Sequence, residues 1–241
     1  MLFSPLRQEA ATTTKRPIRF PDQMLAGVLV TAVLAAAMLV LTCVVAWYSG
    51  PVGPDSPWLQ WFVEHRTGPL TAIAKVVSAL GDTVTVAIYT LVACALLAWR
   101  RHWEPAVLIA TAAIGAGLLV YFGKLMIGRD RPPVGYRLVT ETNHSYPSGH
   151  ALGSTVVIGV LVAAALPVLS RAARIAAITF AVVFALAVGV SRLYLGVHWT
   201  TDVLAGWLLG ACWLTLCLTF RPYLPLVTAR IPQRLLRASD G

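Results

Sequence analysis

Charge is what this chain has least of. Only 12% of its 241 residues are Asp, Glu, Lys or Arg, about half the ~25% with which a soluble domain covers its surface. A soluble single-domain enzyme is thereby disfavoured, because much of this surface must face something other than water. Acids are scarcer still, 10 Asp plus Glu against 19 Lys plus Arg, for a net charge of +9. A nucleic-acid binder would gather such an excess on one wet face. Here the basic residues form short knots between long apolar runs, so the expected partner is a lipid bilayer and not nucleic acid. Cysteine is also sparse. Cys43, Cys94, Cys212 and Cys217 all lie inside apolar runs, without a CxxC pair or a His at metal-ligand spacing. They read as small buried hydrophobes. The chain has no internal repeat and no low-complexity tract.

What the chain does have is hydrophobic length: 58% of it is apolar. Runs of roughly 17 to 25 apolar residues, enough to cross a bilayer, fall at 24–48, 83–99, 105–122, 151–169, 175–190 and 203–220. Trp47, Tyr48, Trp99, Trp103, Tyr121 and Phe122 stand at their ends, where aromatic rings anchor at the headgroups. The expected fold is all-α, a six-transmembrane-helix bundle, flanked by segments 1–23 and 221–241. The basic stretch Lys15-Arg16-Pro17-Ile18-Arg19 precedes a run longer than a signal-peptide core and lacking a small-residue cleavage site, so the first span is expected to stay. With six spans, twelve of the 19 Lys and Arg fall on the side of the termini and seven on the other. The positive-inside bias then makes both termini cytoplasmic and turns 49–82, 123–150 and 191–202 outward. Segment 49–82 opens with Pro51, Gly53, Pro54 and Pro57 and becomes amphipathic. It reads either as one or two short interfacial helices or as a linker. Segment 221–241, with three prolines and four arginines, reads as a cytoplasmic tail near anionic lipid. Gly206 and Gly210 form a GxxxG that serves packing within the chain as well as it serves dimerisation, so the oligomeric state stays open.

Chemistry concentrates on the outward side. Lys124 and Arg131 are seven residues apart and followed by Pro132; on a helix that is two turns, so both cations reach one anion. Pro147-Ser148-Gly149-His150 opens the fourth span. Proline suits a first helical turn, and the Ser hydroxyl and free N–H groups would meet an anion at the positive helix end. In Ser191-Arg192-x5-His198-x3-Asp202 the His and Asp are four apart, so on a helix the carboxylate can hold the imidazole and leave its other nitrogen free. Arg192 offers a fork suited to phosphate oxygens. Each motif also has a bland reading: snorkelling cations, an ordinary helix start, a structural His–Asp pair. Together they specify eleven positions on one predicted face of the membrane.

With all eleven present, the sequence resembles the type 2 phosphatidic acid phosphatase superfamily, the lipid phosphate phosphatases, whose pattern is KxxxxxxRP, PSGH and SRxxxxxHxxxD. The resemblance covers residues 124–202 by motif, and the six-span layout extends it to 24–220 as a phosphatase domain. It implies an active site at the extracytoplasmic membrane interface. It implies that His198 is the nucleophile, passing through a phosphohistidine, that Asp202 orients it, and that His150 is the general acid. Lys124, Arg131, Ser148, Gly149 and Arg192 would hold the phosphoryl oxygens. The family is metal-independent, so no metal and no cofactor are expected. That agrees with acids that are otherwise scattered on the outward side, at Asp55, Glu64, Asp82, Asp130 and Glu141.

Two alternatives remain from the residues. Vanadium-dependent haloperoxidases carry the same motifs but are soluble, which six spans oppose. A non-catalytic lipid-binding membrane protein is weakened because no motif position is missing. The implied substrate is a lipid phosphate: phosphatidate, phosphatidylglycerophosphate or a polyprenyl diphosphate such as undecaprenyl diphosphate. Tyr136, Arg137, His144, Tyr194 and Trp199 flank the motifs and read as headgroup-shaping or as ordinary interfacial residues.

Overall fold

Apolar residues all round a helix leave it no face for water, and such helices must sit among lipid tails or among each other. The computed structural model describes residues 22–48 and 50–224, and every regular element among them is helical. The helices are α1 (Asp22–Trp47), α2 (Asp55–Glu64), α3 (Gly68–Leu80), α4 (Thr83–Trp99), α5 (Trp103–Ile127), α6 (Gly149–Ala165), α7 (Arg171–Tyr194) and α8 (Thr200–Phe220). Short 3-10 turns follow α6 at Leu166–Val168 and α8 at Arg221–Tyr223. The expected terminal segments 1–23 and 221–241 lie outside the described residues except for 22–23 and 221–224.

Five helices, α1, α5, α6 with its 3-10 turn, α7 and α8, are long and apolar enough to cross a membrane. The expected second span is different: α4 has 17 residues, and it reaches crossing length only together with α3, from which it is bent by 44°. The bend has a local cause. Asp82 stands between the two helices in extended conformation and caps α4, its Oδ2 accepting from the Val84 N–H at 3.0 Å, as short polar side chains do at helix starts. Several other helices outrun their apolar stretches. The runs expected at 105–122 and 175–190 stop two residues short of Lys124 and Arg192, whereas α5 continues through Lys124 and α7 through Arg192, whose charges find partners in the fold.

Segment 49–82 forms two helices, α2 and α3, and is not a linker. α2 packs on α7 and α8, and α3 packs on α7. Arg66, between them, donates to the Tyr194 carbonyl at the end of α7 (2.9 and 3.1 Å) and to the Tyr136 carbonyl at 2.7 Å. It thereby satisfies carbonyls that a helix end leaves unpaired.

α6 is the innermost helix, packed against α4, α5, α7 and α8, and α8 also carries α1. Its Leu152, Val156 and Val160 are fully buried against Leu108, Ile109, Ala112 and Ala116 of α5. Lipid tails are as apolar as leucine, so close packing, and not hydrophobicity alone, must hold such helices together. Gly206 and Gly210 provide it. A side chain at Gly206 would meet the Ser148 carbonyl at 2.7 Å, and one at Gly210 the Leu152 carbonyl at 3.1 Å. The GxxxG therefore seats α8 on α6 within this chain. All four cysteines are free.

Candidate active site

α5 ends where Gly128 takes a left-handed conformation (φ 60°), its N–H bonded to the Lys124 carbonyl at 3.0 Å, a stop that glycine makes at little cost. Lys124 and Arg131 are therefore not two turns of one helix, as their spacing suggests. Lys124 stands on the last turn of α5 and Arg131 in the irregular segment beyond. They converge through the returning chain: both donate to Asn143 Oδ1, at 3.1 and 2.6 Å, and both to the His144 carbonyl.

Arg131 then reaches the third motif. Its NH1 lies 2.6 Å from the Val197 carbonyl and 3.2 Å from His198 Nε2. On the far side of the ring, His198 Nδ1 is 3.3 Å from Asp202 Oδ2. A guanidinium can only donate and a carboxylate can only accept, which assigns the tautomer: Nδ1 carries the proton and Nε2 keeps its lone pair. His198 precedes α8 and is not on it. Asp202 sits in the first turn, where Oδ2 also accepts the Trp199 N–H at 2.9 Å, so one carboxylate both caps the helix and holds the imidazole. Burial, followed by the positive charges of Arg131, Arg192 and Lys124, pushes the His198 pKa well below the usual imidazole range. The ring is neutral near pH 7. Burial likewise lowers Arg131 to about 10, with Glu141 pulling it back.

The second motif arrives from α6. Ser148 is the residue before the helix, and its N–H donates to the Asp202 carbonyl at 3.0 Å. Pro147 therefore lies outside the helix and not in its first turn. Ser148 Oγ is buried and without a hydrogen-bond partner, and so is Arg192 Nε. Two unspent donors of this kind are costly to bury and suit a ligand rich in acceptor oxygens. The Gly149 N–H opens α6, where the first amides of a helix are unpaired. Arg192, on the last turn of α7, donates to Ser78 Oγ at 2.6 Å and pairs with Glu141. His150 Nε2 is 3.4 Å from Asp82 Oδ1. His150, Arg192, Glu141, Asp82, Ser78 and Lys75 border one cavity of about 420 Å³.

Three groups here carry no mark in the sequence. Glu141, whose side chain is 20% exposed, bridges the two arginines, 3.5 Å from Arg131 and in direct contact with Arg192. Behind Asp202, the buried Arg129 pairs with Asp55 at 2.6 Å and with Asp202 itself at 2.7 Å. Among the flanking aromatics, Tyr194 and Trp199 are buried and fasten loops: Tyr194 Oη accepts the Thr67 N–H, and Trp199 Nε1 donates to the Asp130 carbonyl. Among the described residues no group of three or more His, Cys, Asp or Glu is placed to hold a metal ion.

Residues 104–225 match the PAP2 superfamily, about half of the chain and all three motifs. The chain belongs to the PAP2 superfamily. Among curated relatives, it is 34% identical over 158 residues to phosphatidylglycerophosphatase B of Bacillus subtilis (strain 168), covering 64% of this chain and 71% of that one. It is 31% identical over 121 residues to an undecaprenyl-diphosphatase of Sulfolobus acidocaldarius, covering 48% and 55%. Among solved structures, the transmembrane PAP2-type phosphatidylglycerolphosphate phosphatase from Bacillus subtilis superposes with a TM-score of 0.65 at 28% identity, over 83% of this chain and 96% of that one. Aquifex aeolicus LpxE shares the fold, with a TM-score of 0.57 at 20% identity over 69% and 96%. The chain is thus a multi-pass membrane protein of a lipid phosphatase family, and its three motifs all lie within the matched residues.

Proposed function

We propose that this PAP2 protein hydrolyses the terminal phosphate of a membrane lipid through a phosphohistidine on His198, without a metal. The observation that carries the reading is the imidazole held between Asp202 and Arg131, with its unprotonated Nε2 on the side of the anion-binding cations.

In this reading the phosphoryl group settles among Arg131, Arg192, Lys124, Ser148 Oγ and the Gly149 N–H, displacing Glu141 from the two guanidiniums. His198 Nε2 attacks phosphorus as the P–O bond to the lipid breaks, while Nδ1 keeps its proton and shares it with Asp202. His150, oriented by Asp82, gives its proton to the departing oxygen. It then takes a proton from the water that cleaves the P–N bond, returning free His198 and inorganic phosphate. Three fixed cations spread over the equatorial oxygens supply the charge stabilisation that phosphoryl transfer requires, so full turnover is expected in excess chelator. A strict divalent-cation requirement would contradict this.

A six-span arrangement, with α3 and α4 as one broken crossing, and the bias of Lys and Arg support a topology with both termini in the cytoplasm and the site on the opposite face. There a lipid presents its headgroup while its tails stay in hydrocarbon. Phosphatidylglycerophosphate is the leading substrate, because the relative covered over the greater share of its length carries that activity in its name; a polyprenyl diphosphate is second, by the Sulfolobus acidocaldarius relative. Phosphate release by the purified protein across phosphatidylglycerophosphate, undecaprenyl diphosphate, phosphatidate and a soluble monophosphate tests both levels. Hydrolysis of lipids but not of the soluble ester supports the reading, and bromide oxidation with added vanadate in place of hydrolysis would replace it.

A further inference from the structure

Behind the imidazole lies a chain of charges that the motifs do not contain. Arg129 NH1 donates to Asp202 Oδ1 at 2.7 Å and to Thr201 Oγ1 at 2.7 Å, and NH2 donates to Asp55 Oδ2 at 2.6 Å and to the Gly50 carbonyl at 3.1 Å. The Arg129 guanidinium also lies over the Trp199 ring, 5.7 Å from its centroid. Asp55 opens α2 and is fully buried. Its carboxylate accepts the Thr201 N–H at 2.9 Å and the Val52 N–H at 2.8 Å. The first turns of α2 and α8, through Asp55 and Thr201 146 residues apart, are thus pinned to one arginine.

Buried ion pairs are poor sources of stability, since apolar replacements of similar volume are often neutral or better. A chain with only 10 acids nevertheless spends two of them, fully buried, on this cluster. We infer that Arg129, held in place by Asp55, is a positioning residue for the nucleophile, fixing the Asp202 carboxylate so that His198 presents Nε2 to phosphorus. The inference rests on the phosphohistidine reading above.

The geometry explains how. Asp202 has two oxygens and three donors: Arg129 takes Oδ1, which turns Oδ2 toward the Trp199 N–H and His198 Nδ1. Arg129 and Arg131 leave the same short segment on opposite sides of the ring, one behind it through Asp202 and one in front at Nε2. Asp55, Arg129 and Asp202 together carry one net negative charge. As Nε2 bonds to phosphorus the ring becomes cationic, and that charge stands directly behind it.

The test uses the full chain in detergent micelles, with phosphatidylglycerophosphate as substrate and His198→Ala as reference. Arg129→Met is expected to lower kcat by about a hundredfold or more with KM within about threefold, and Arg129→Lys to restore part of kcat, because an ammonium still meets one carboxylate. Asp55→Asn, nearly isosteric and still able to accept, covers the case in which Arg129→Met does not fold, and is expected to lower kcat about tenfold at unchanged KM. Wild-type kcat per folded molecule in Asp55→Asn or Arg129→Met, with only thermal stability reduced, would overturn the inference and leave the pair structural. A loss confined to KM would overturn it too, placing Arg129 on the phosphate. Activity persisting in His198→Ala would instead refute the phosphohistidine reading itself.

Discussion

Glu141→Gln probes how the anion pocket is held when no phosphate is in it. The carboxylate lies 3.5 Å from Arg131 and contacts Arg192, the two guanidiniums assigned to the phosphoryl oxygens. Unit charges 3.5 Å apart attract by about 5 kcal/mol at an effective dielectric of about 20. Partial exposure and the desolvation of both partners bring the net down to that of a charge-assisted hydrogen bond, about 1.5–3 kcal/mol. Glutamine keeps the shape and an acceptor oxygen but not the charge, so about 1.4 kcal/mol of the competing interaction should vanish, a factor of about ten in binding. Because carboxylate and phosphate compete for the same donors, removing the charge should tighten phosphate. Phosphate release measured with increasing inorganic phosphate should show KM and the product inhibition constant both falling about tenfold. Unchanged or weaker inhibition by phosphate would refute the competition and make Glu141 a support for the arginines.

Gly206→Leu should press on the Ser148 carbonyl and shift the Pro147–His150 turn, lowering stability by about 1–3 kcal/mol with loss of activity; an unchanged unfolding temperature would show that α6 and α8 are not seated on each other at this glycine. Because the folded-state pKa of His198 is depressed, its contribution to stability is present above the usual imidazole pKa and is lost as pH falls, when only the unfolded chain takes up the proton. The unfolding temperature should therefore drop between about pH 7.5 and about pH 5.5, and His198→Gln should flatten that drop. An equal drop in the variant would assign the acid sensitivity to other groups.

How much could be read before the fold was known follows from which contacts are local. The apolar runs gave five of the crossing helices and half of the bent sixth, and the motifs contain Arg131, His198 and Asp202, which the fold brings into contact. Spacing alone misplaced the details. Lys124 and Arg131 meet through Asn143 and not along a helix, since Gly128 ends α5 between them. His198 lies outside α8, and Asp202 reaches it by capping. Asp55, Glu141 and Arg129 stayed invisible because their partners are set by tertiary packing: Asp55 meets Thr201 and Arg129 across most of the chain. One signal was available. In a chain so poor in charge, Arg129, at an unspecified position within the first motif and outside the termini that mark topology, lacked a reason, and a charge without a reason in an apolar protein is a candidate for function.

The phosphohistidine mechanism requires a covalent bond between phosphorus and His198 Nε2. Rapid quenching of the purified protein with a lipid phosphate radiolabelled in its terminal phosphoryl group tests it directly. The expected result is an acid-labile, alkali-stable label that maps to the peptide containing His198 and disappears in His198→Ala. Steady turnover with no label on the protein, or a label on another residue that survives in His198→Ala, would contradict it.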